Sequence, residues 1–453
     1  MKKYLLIALF FSAAGIAHSQ NKTKLVKSQI PFEGQDQTWQ NGSDRRDSAL
    51  LKNKYATLTI MLDANYTHSF ANPIDNTVVG STALARNNEV EVSSANIGGE
   101  FSYEGARAKI VTQFGTRSTI VPRNDYSVYK GQYDLANVYR YLSEAYAGYH
   151  FNFLHGINLD AGMFMSYIGL NSYYQCENWE YQASFTSDNT PWFFNGVRMQ
   201  IFSNEKWKIE PWIINGWQSY GRFNALPGVG GNITYCPNSN LKILTNNYYG
   251  TDAAGLPGRH RFHSDNSFLV RYFHSPGSFI SQAAFSLTGD LGFEKGDGVN
   301  GFHNDATAGP AQYFASVMFY NRIWFCKNKF ACTVGGGLMN NPGRYLVLYP
   351  TGDASPLPNP YNPTSTAGTH PFSANPGDPF SGWDCSANFD WMPNKNIAFR
   401  MEYVHRESSV PYFAGHGGVT SPTGYTTTPL PLSWKPDLVK SENRIIFAVL
   451  FRI

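Results

Sequence analysis

Apolar and polar residues alternate with a period of two along much of the chain. Between residues 55 and 66, every second side chain is apolar in the series Leu58, Ile60, Leu62 and Ala64. The same alternation recurs at 106–115, 157–166, 397–403 and 445–453. Successive side chains of a β-strand point to opposite faces, so each run predicts a strand with one apolar and one polar face. Ordinary soluble strands have ~5 to 6 residues, whereas most of these runs reach the ~9 to 11 residues that a membrane-crossing strand needs.

Short breaks that favour tight turns separate these runs in pairs. They are rich in Gly, Pro, Asn and Ser, which supply the backbone angles of such turns. They lie at 104–105, 152–156, 204–206, 237–240, 275–278, 327–329 and 393–396. The connections between the hairpins are longer, at 116–138, 166–195, 292–310, 340–382 and 407–440. Seven hairpins, with one strand before them and one after, give about 16 strands. Short periplasmic turns and long extracellular loops are typical of outer-membrane barrels.

These patterns predict an all-β fold, a transmembrane antiparallel up-and-down β-barrel over residues 54–453. A sheet in lipid must close on itself, because hydrocarbon offers no hydrogen-bond partner to a free edge. The apolar face then points to lipid and the polar face lines a lumen, and about sixteen strands would leave an aqueous channel. We expect the connection 340–382 to fold inward and constrict this channel. A soluble secreted all-β protein, with the apolar face inside, would have the same alternation and remains an alternative.

The N-terminus has the features of a secretory signal peptide. Lys2 and Lys3 precede a short apolar run, and small residues precede a cleavage site after Ser19. Residues 1–19 are therefore predicted to be a signal peptide, with an uncleaved anchor as the alternative. Residues 20–53 are predicted to be a periplasmic segment, which is shorter than the ~50 residues of an independent plug domain. No later run reaches the ~18 apolar residues of a transmembrane-helix candidate.

The composition argues against several classes of function. Charged residues make up 15% of the chain, compared with about 25% in typical soluble domains, and aromatic residues also make up 15%. The aromatic content argues against a disordered chain. A formal net charge of +3 would attract the phosphates of a nucleic acid only weakly, so we expect no nucleic-acid partner. The five cysteines form no CxxC pair and the chain has no GxSxG motif. We therefore expect no enzyme, no catalytic residue, no metal and no cofactor.

Charged residues on the polar faces of the predicted strands are candidates for the pore lining. They are Glu100, Arg107, Lys109, Glu144, Asp160, Arg198, Arg400 and Glu402. A lumen lined by charges of both signs would place a transverse field on permeating solutes. The alternative is that these charges pair across strands and only fill the wall.

Aromatic residues and the last strand carry further membrane signals. Trp383 and Trp391 lie near strand ends and are predicted to belong to an interfacial girdle in contact with lipid. Packing within external loops, or stacking on sugars, is the alternative for these rings. The alternate apolar residues of 445–453 resemble the terminal strand that the barrel insertion machinery reads. The chain ends in Ile453, where Phe or Trp is usual.

Short motifs in the middle and near the end of the chain carry a family resemblance. They are LDAGMF at 159–164, YIG at 167–169, FNGVR at 194–198, INGW at 214–217, GVGG at 228–231 and WKPDL at 434–438. In their order and spacing, the chain resembles the OmpL-like beta-barrel porins that are widespread among Bacteroidetes. The resemblance implies an outer-membrane barrel with pore activity and supplies no catalytic residues. A homo-oligomer is compatible with it, since trimers are common among general porins.

The sequence thus predicts an outer-membrane porin that lets small hydrophilic solutes or ions diffuse passively through a water-filled lumen. The alternative is an outer-membrane surface receptor or adhesin that binds through its long extracellular loops and uses the barrel as an anchor. A porin would give stepwise conductance in a planar bilayer, whereas a binder would be silent there.

Overall fold

Sixteen antiparallel strands form one closed sheet in the computed structural model, which describes residues 51–122, 133–238, 240–253, 255–342, 379–425 and 434–453. The strands are β1 (Ala56–Ser69), β2 (Val90–Tyr103), β3 (Ala106–Thr112), β4 (Leu142–Phe151), β5 (Ile157–Met165), β6 (Phe193–Asn204), β7 (Trp207–Ile214), β8 (Gly228–Asn238), β9 (Leu241–Gly250), β10 (His260–His274), β11 (Ile280–Gly296), β12 (Tyr313–Phe325), β13 (Phe330–Asn341), β14 (Phe380–Asn394), β15 (Ile397–Ser408) and β16 (Ser441–Arg452). The predicted signal peptide, and the predicted periplasmic segment up to residue 50, lie outside the described residues.

Pairing of the last strand with the first closes the barrel. β16 runs antiparallel to β1, from Met61 opposite Arg452 to Ser69 opposite Arg444. Every other strand pairs with its neighbours in the chain, and all seven predicted turns join consecutive strands. The predicted antiparallel barrel of sixteen strands is therefore confirmed. Two short additions lie outside it: Val299–Asn300 pairs antiparallel with the end of β11, and Phe413–Ala414 pairs with Leu438–Val439.

The outer surface of the barrel is apolar, as a lipid-facing sheet requires. On β1, Leu58, Leu62 and Tyr66 are exposed, whereas the alternate residues Asp63 and Asn65 are buried inside. Trp383 and Trp391, near the two ends of β14, are 43% and 44% exposed on the outside. In the part of the chain that is described, helices are too short or too polar to span a bilayer.

The connection between β5 and β6, residues 166–192, folds into the barrel; we call it the inward loop. All of its residues are buried except Ser166, Cys176 and Asp188, which are half-buried. It contains a 3-10 turn at Gln175–Glu177 and a short helix at Phe185–Asp188. The connection expected to constrict the lumen, 340–382, lies mostly outside the described residues, so that expectation stays a prediction.

The aromatic side chains of the inward loop form much of the interior core. Trp179 is fully buried and packs edge-on against Trp324 of β12, with ring centroids 5.7 Å apart. Phe185 packs against Phe380 and Phe413 at 6.2 and 5.8 Å. Hydrophobic burial therefore acts inside this barrel as well as at its lipid face, and it favours the inward position of the loop.

Candidate functional site

The inward loop divides the interior of the barrel into two unlike sides. It is bonded tightly to one side, formed by β12–β16 and β1, which we call the anchoring wall. On the other side, between the loop and strands β3–β9, there is a cavity of about 140 Å³. Each of these seven strands contributes at least one side chain to its lining, so we call them the cavity wall.

At the centre of the anchoring wall, one carboxylate forms ion pairs with two arginines. Asp390 accepts from Arg322 Nη1 and from Arg400 Nε, each at 2.6 Å. The two guanidinium groups then reach three successive carbonyl oxygens of the inward loop. Arg322 donates to the carbonyl of Trp179 at 2.8 Å, and Arg400 donates to those of residues 178 and 180 at 2.9 Å. Buried carbonyl groups at the tip of the loop thereby obtain donors, which an inward-folded loop needs.

Neighbouring strands of the anchoring wall hold the next part of the loop. The Glu402 carboxylate accepts from the backbone N–H groups of Tyr181 and Gln182. The Tyr181 hydroxyl donates to Asp63 of β1 at 2.7 Å. Arg406 forms an ion pair with Asp188 at 2.9 Å. The loop is thus fastened by charge-assisted bonds, which are stronger than neutral ones.

One carboxyl group of the loop has a second oxygen that accepts no hydrogen bond from the described residues. Glu180 Oε1 accepts from Asn171, whereas the buried Oε2 has no hydrogen-bond partner among the described residues. Burial raises the pKa of Glu180 to about 7, and the Asn171 amide and the Arg400 charge only partly oppose this rise. Near neutral pH, a large fraction of this side chain is therefore protonated.

Charges on the cavity wall bind mainly to one another. Lys109 Nζ lies 2.9 Å from Glu144 and 3.4 Å from Glu100. The hydroxyl of Tyr174, on the inward loop, also donates to Glu144 at 3.0 Å. This group spans β2, β3 and β4, and it touches the loop through one neutral side chain.

A second group of charges lies on β3, β5, β6 and β7. Asp160 is 3.1 Å from Arg198 and 3.5 Å from Arg107. Glu210 is 3.7 Å from Arg198 and 2.5 Å from Lys208. These pairs continue the row of charges across successive strands, so the cavity wall has both signs close together.

Aromatic rings fix the position of one of these cations. The Arg198 guanidinium lies 4.7 Å from the ring centre of Tyr146, 4.6 Å from Phe164 and 5.6 Å from Trp212. Cation–π attraction adds to the ion pairs and limits the movement of the guanidinium. Arg198 therefore presents a fixed positive charge beside the cavity.

The eight predicted lining residues all face the barrel interior, but they are divided between the two walls. Lys109, Glu144 and Arg198 line the cavity. Glu100 pairs with Lys109, and Asp160 pairs with both Arg198 and Arg107. Arg400 and Glu402 lie on the anchoring wall and bind the inward loop. Their contribution to solute passage stays a prediction for all eight.

Sequence reasoning missed three further charged residues of the cavity wall, Lys208, Glu210 and Lys242. The signal for two of them is present, because Lys208 and Glu210 alternate with Trp207 and Ile209 on β7. The loop contacts have no comparable local signal, since an inward fold depends on bonds to strands more than 200 residues away. Among the described residues, no group of three His, Cys, Asp or Glu side chains could hold a metal ion.

Several solved structures are similar to this chain at low sequence identity. Three similar solved structures are OprB of Pseudomonas putida, OmpT of Vibrio cholerae and the outer membrane channel DcaP of Acinetobacter baumannii. Their identities to this chain are 9%, 9% and 12%, with TM-scores of 0.48, 0.47 and 0.47. The matches cover 92%, 89% and 89% of this chain and 99% of each of the others. The barrel architecture itself rests on the strand pairing above.

A family assignment comes from the sequence. No curated protein matches the chain. The family described as "Putative beta-barrel porin-2, OmpL-like" matches residues 56–429, which include fifteen of the sixteen barrel strands. With that match and a closed barrel whose apolar side chains face outward, the chain belongs to this family of outer-membrane β-barrel porins.

Proposed function

We propose that this protein is a porin that lets small hydrophilic solutes or ions diffuse passively through the space between the inward loop and the cavity wall. The observation that carries the proposal is the cavity of about 140 Å³ inside a closed barrel, lined largely by charged and polar side chains. Such a site is roomy and polar enough to hold several water molecules.

The unequal fastening of the loop to the two walls supports this route. Its polar contacts are concentrated on the anchoring wall, where Arg322, Arg400 and Arg406 are fully or almost fully buried. On the cavity wall, Lys109 and Arg198 keep 22% and 12% of their side-chain surface exposed. Water can hydrate charges that keep some exposure, so a continuous aqueous path is favoured along this wall. A path of this width admits only small solutes, because the loop occupies the rest of the interior.

The test is conductance of the purified, refolded protein in a planar lipid bilayer. We expect stepwise current increases of uniform size. Thr234→Trp on β8 places a large ring in the cavity and should reduce the step. Ile233→Trp is the matched control, because Ile233 is the neighbouring residue on the same strand and faces outward.

Two results would contradict the proposal. The first is a correctly folded barrel without any current steps, as expected of a receptor or adhesin that uses the barrel only as an anchor. The second is equal conductance of Thr234→Trp, Ile233→Trp and the unchanged protein, since the cavity would then not lie on the path. Folding is checked by the slower migration of the heat-denatured protein in detergent gels.

A further inference from the structure

We propose that the cavity selects small oxyanions, such as carboxylates and inorganic phosphate, and that Lys242 is the residue that determines this preference. The inference rests on the proposed porin function and specifies which class of solute passes. Three observations carry it: the balance of charges, the spare hydrogen-bond donors and the position of Lys242 in the wall.

Among the described residues, each charged side chain that lines the cavity has an ion-pair partner except one lysine. Each lining carboxylate has a cation within 4 Å: Lys109 for Glu144, Lys208 for Glu210 and Arg452 for Glu177. The lining cations Lys109, Lys208 and Arg198 likewise have carboxylate partners. Among the described residues, Lys242 is the lining cation that forms no ion pair.

Counting the partners outside the lining gives the same result. The connected cations are Arg107, Lys109, Arg198, Lys208, Lys242 and Arg452, and the connected carboxylates are Glu100, Glu144, Asp160, Glu177 and Glu210. Among the residues that the structure describes, one positive charge is therefore left without an ion-pair partner. In a confined site, where water screens poorly, a single uncompensated charge attracts anions and repels cations.

The lining also has hydrogen-bond donors without acceptors, and these favour anions as well. Trp192 and Trp212 both line the cavity, and their indole nitrogens are buried without a hydrogen-bond partner among the described residues. An indole N–H can only donate. A buried donor without an acceptor costs free energy, which a solute oxygen could relieve. Both groups thus favour solutes that carry several acceptor oxygens, as oxyanions do.

Strand register places Lys242 beside a second lysine. Lys208 on β7 lies directly opposite Thr234 on β8, and Thr234 lies opposite Leu244 on β9. Lys242 is two residues from Leu244, on the same inward face of β9. Lys208 and Lys242 therefore project from the same stretch of wall on either side of Thr234. Lys208 is engaged with Glu210, so among the described residues Lys242 supplies the charge without an ion-pair partner there.

The first experiment measures the reversal potential across a potassium chloride gradient. We expect the unchanged protein to favour chloride. Lys242→Met should lower the permeability ratio of chloride to potassium by roughly a hundredfold, because one charge about 10 Å away, at an effective dielectric constant of about 20, changes the permeability of each ion roughly tenfold and in opposite directions. Lys242→Glu should reverse the preference, and Lys242→Arg should retain it. Lys295→Glu is the control, since Lys295 is exposed on β11, outside the cavity.

The second experiment tests binding of the oxyanion itself. Inorganic phosphate, added in millimolar amounts, should reduce the chloride current of the unchanged protein because it occupies the cavity. Trp212→Phe removes one N–H donor and keeps a ring, so the phosphate concentration for half block should rise several-fold. Trp207→Phe is the control, because Trp207 lies on the outer surface of the same strand.

The outcomes separate this inference from the porin proposal. Current steps without anion preference, or a permeability ratio unchanged by Lys242→Met, would overturn the inference and leave the porin proposal standing. A folded barrel without current steps would overturn both. If Lys242→Met does not fold, Lys242→Gln and Lys242→Arg provide the same comparison between a neutral and a charged side chain.

Discussion

The anchoring wall and the cavity wall use the same kinds of residue for different purposes. Both place arginines and carboxylates at alternate positions of antiparallel strands, facing inward. On the anchoring wall, the arginines are buried and donate to backbone carbonyls of the inward loop. On the cavity wall, the cations pair with neighbouring side chains and keep part of their surface exposed. The bonding partner, rather than the residue type, therefore separates a structural charge from a candidate for solute contact.

The largest expected effect comes from breaking the centre of the anchoring wall. Arg400→Met removes one of the two arginines bound to Asp390 and leaves two loop carbonyls without their donor. Removing one partner of a buried ion pair costs about 3–5 kcal/mol, because the remaining charge stays buried. We expect this loss in the free energy of unfolding, measured by denaturant titration in detergent micelles. A loss below about 1 kcal/mol would show that the loop is held by its apolar contacts instead.

Shortening the inward loop should give the next largest effect. Replacing residues 175–187 by a short Gly-Ser linker removes the segment that fills the lumen, so single-channel conductance should increase several-fold. Shortening 303–308, an exposed stretch between β11 and β12, is the control and should leave conductance unchanged. Equal effects of the two deletions would show that the inward loop does not limit the current. Deletion within 349–380, which is part of the connection 340–382 that the sequence predicts to constrict the channel, provides a competing test.

The free energy of unfolding should change with pH, by a smaller amount, through the buried carboxyl group of Glu180. The pKa of Glu180 is raised from 4.5 to about 7, so the folded barrel binds this proton more tightly than the unfolded chain does. Stability is therefore greatest below pH 4.5 as far as this group is concerned, and its contribution is lost as the pH rises from 4.5 to 7. Glu180→Gln should abolish that part of the profile. A stability that rises over this range in the unchanged protein, but not in Glu180→Gln, would contradict the assignment.

The barrel was predictable because its signals are local. Alternation of period two fixes which side chains share a face, and turn residues fix where strands end, so about sixteen strands and the inward position of Arg400 follow from short stretches. Trp383 and Trp391 face outward, whereas Trp212 and Trp324 are buried inside the barrel.

The inward loop was not predictable in the same way. Its burial depends on Arg322, Asp390 and Arg400, which lie far from it in the chain and meet it only after the barrel closes. The sequence could place Arg400 inside the barrel, but not beneath the loop. Alternation along a strand predicts only that a charged residue faces the interior. It does not tell whether the residue lies on the anchoring wall or on the cavity wall, which depends on tertiary contacts.

The smallest effect is expected from removing a cation of the cavity wall, as the counterpart of Arg400→Met on the anchoring wall. Lys109→Met removes one cation, as Arg400→Met does, but Glu144 keeps its hydrogen bond from Tyr174 and Glu100 keeps 21% of its surface exposed. Water in the cavity can then hydrate both carboxylates, so we expect a loss of about 1 kcal/mol or less in the free energy of unfolding. The two variants are measured under the same conditions in detergent. Similar losses in the free energy of unfolding for both variants would mean that water reaches the charges of the cavity wall no better than those beneath the loop. The distinction between the two walls would then be wrong.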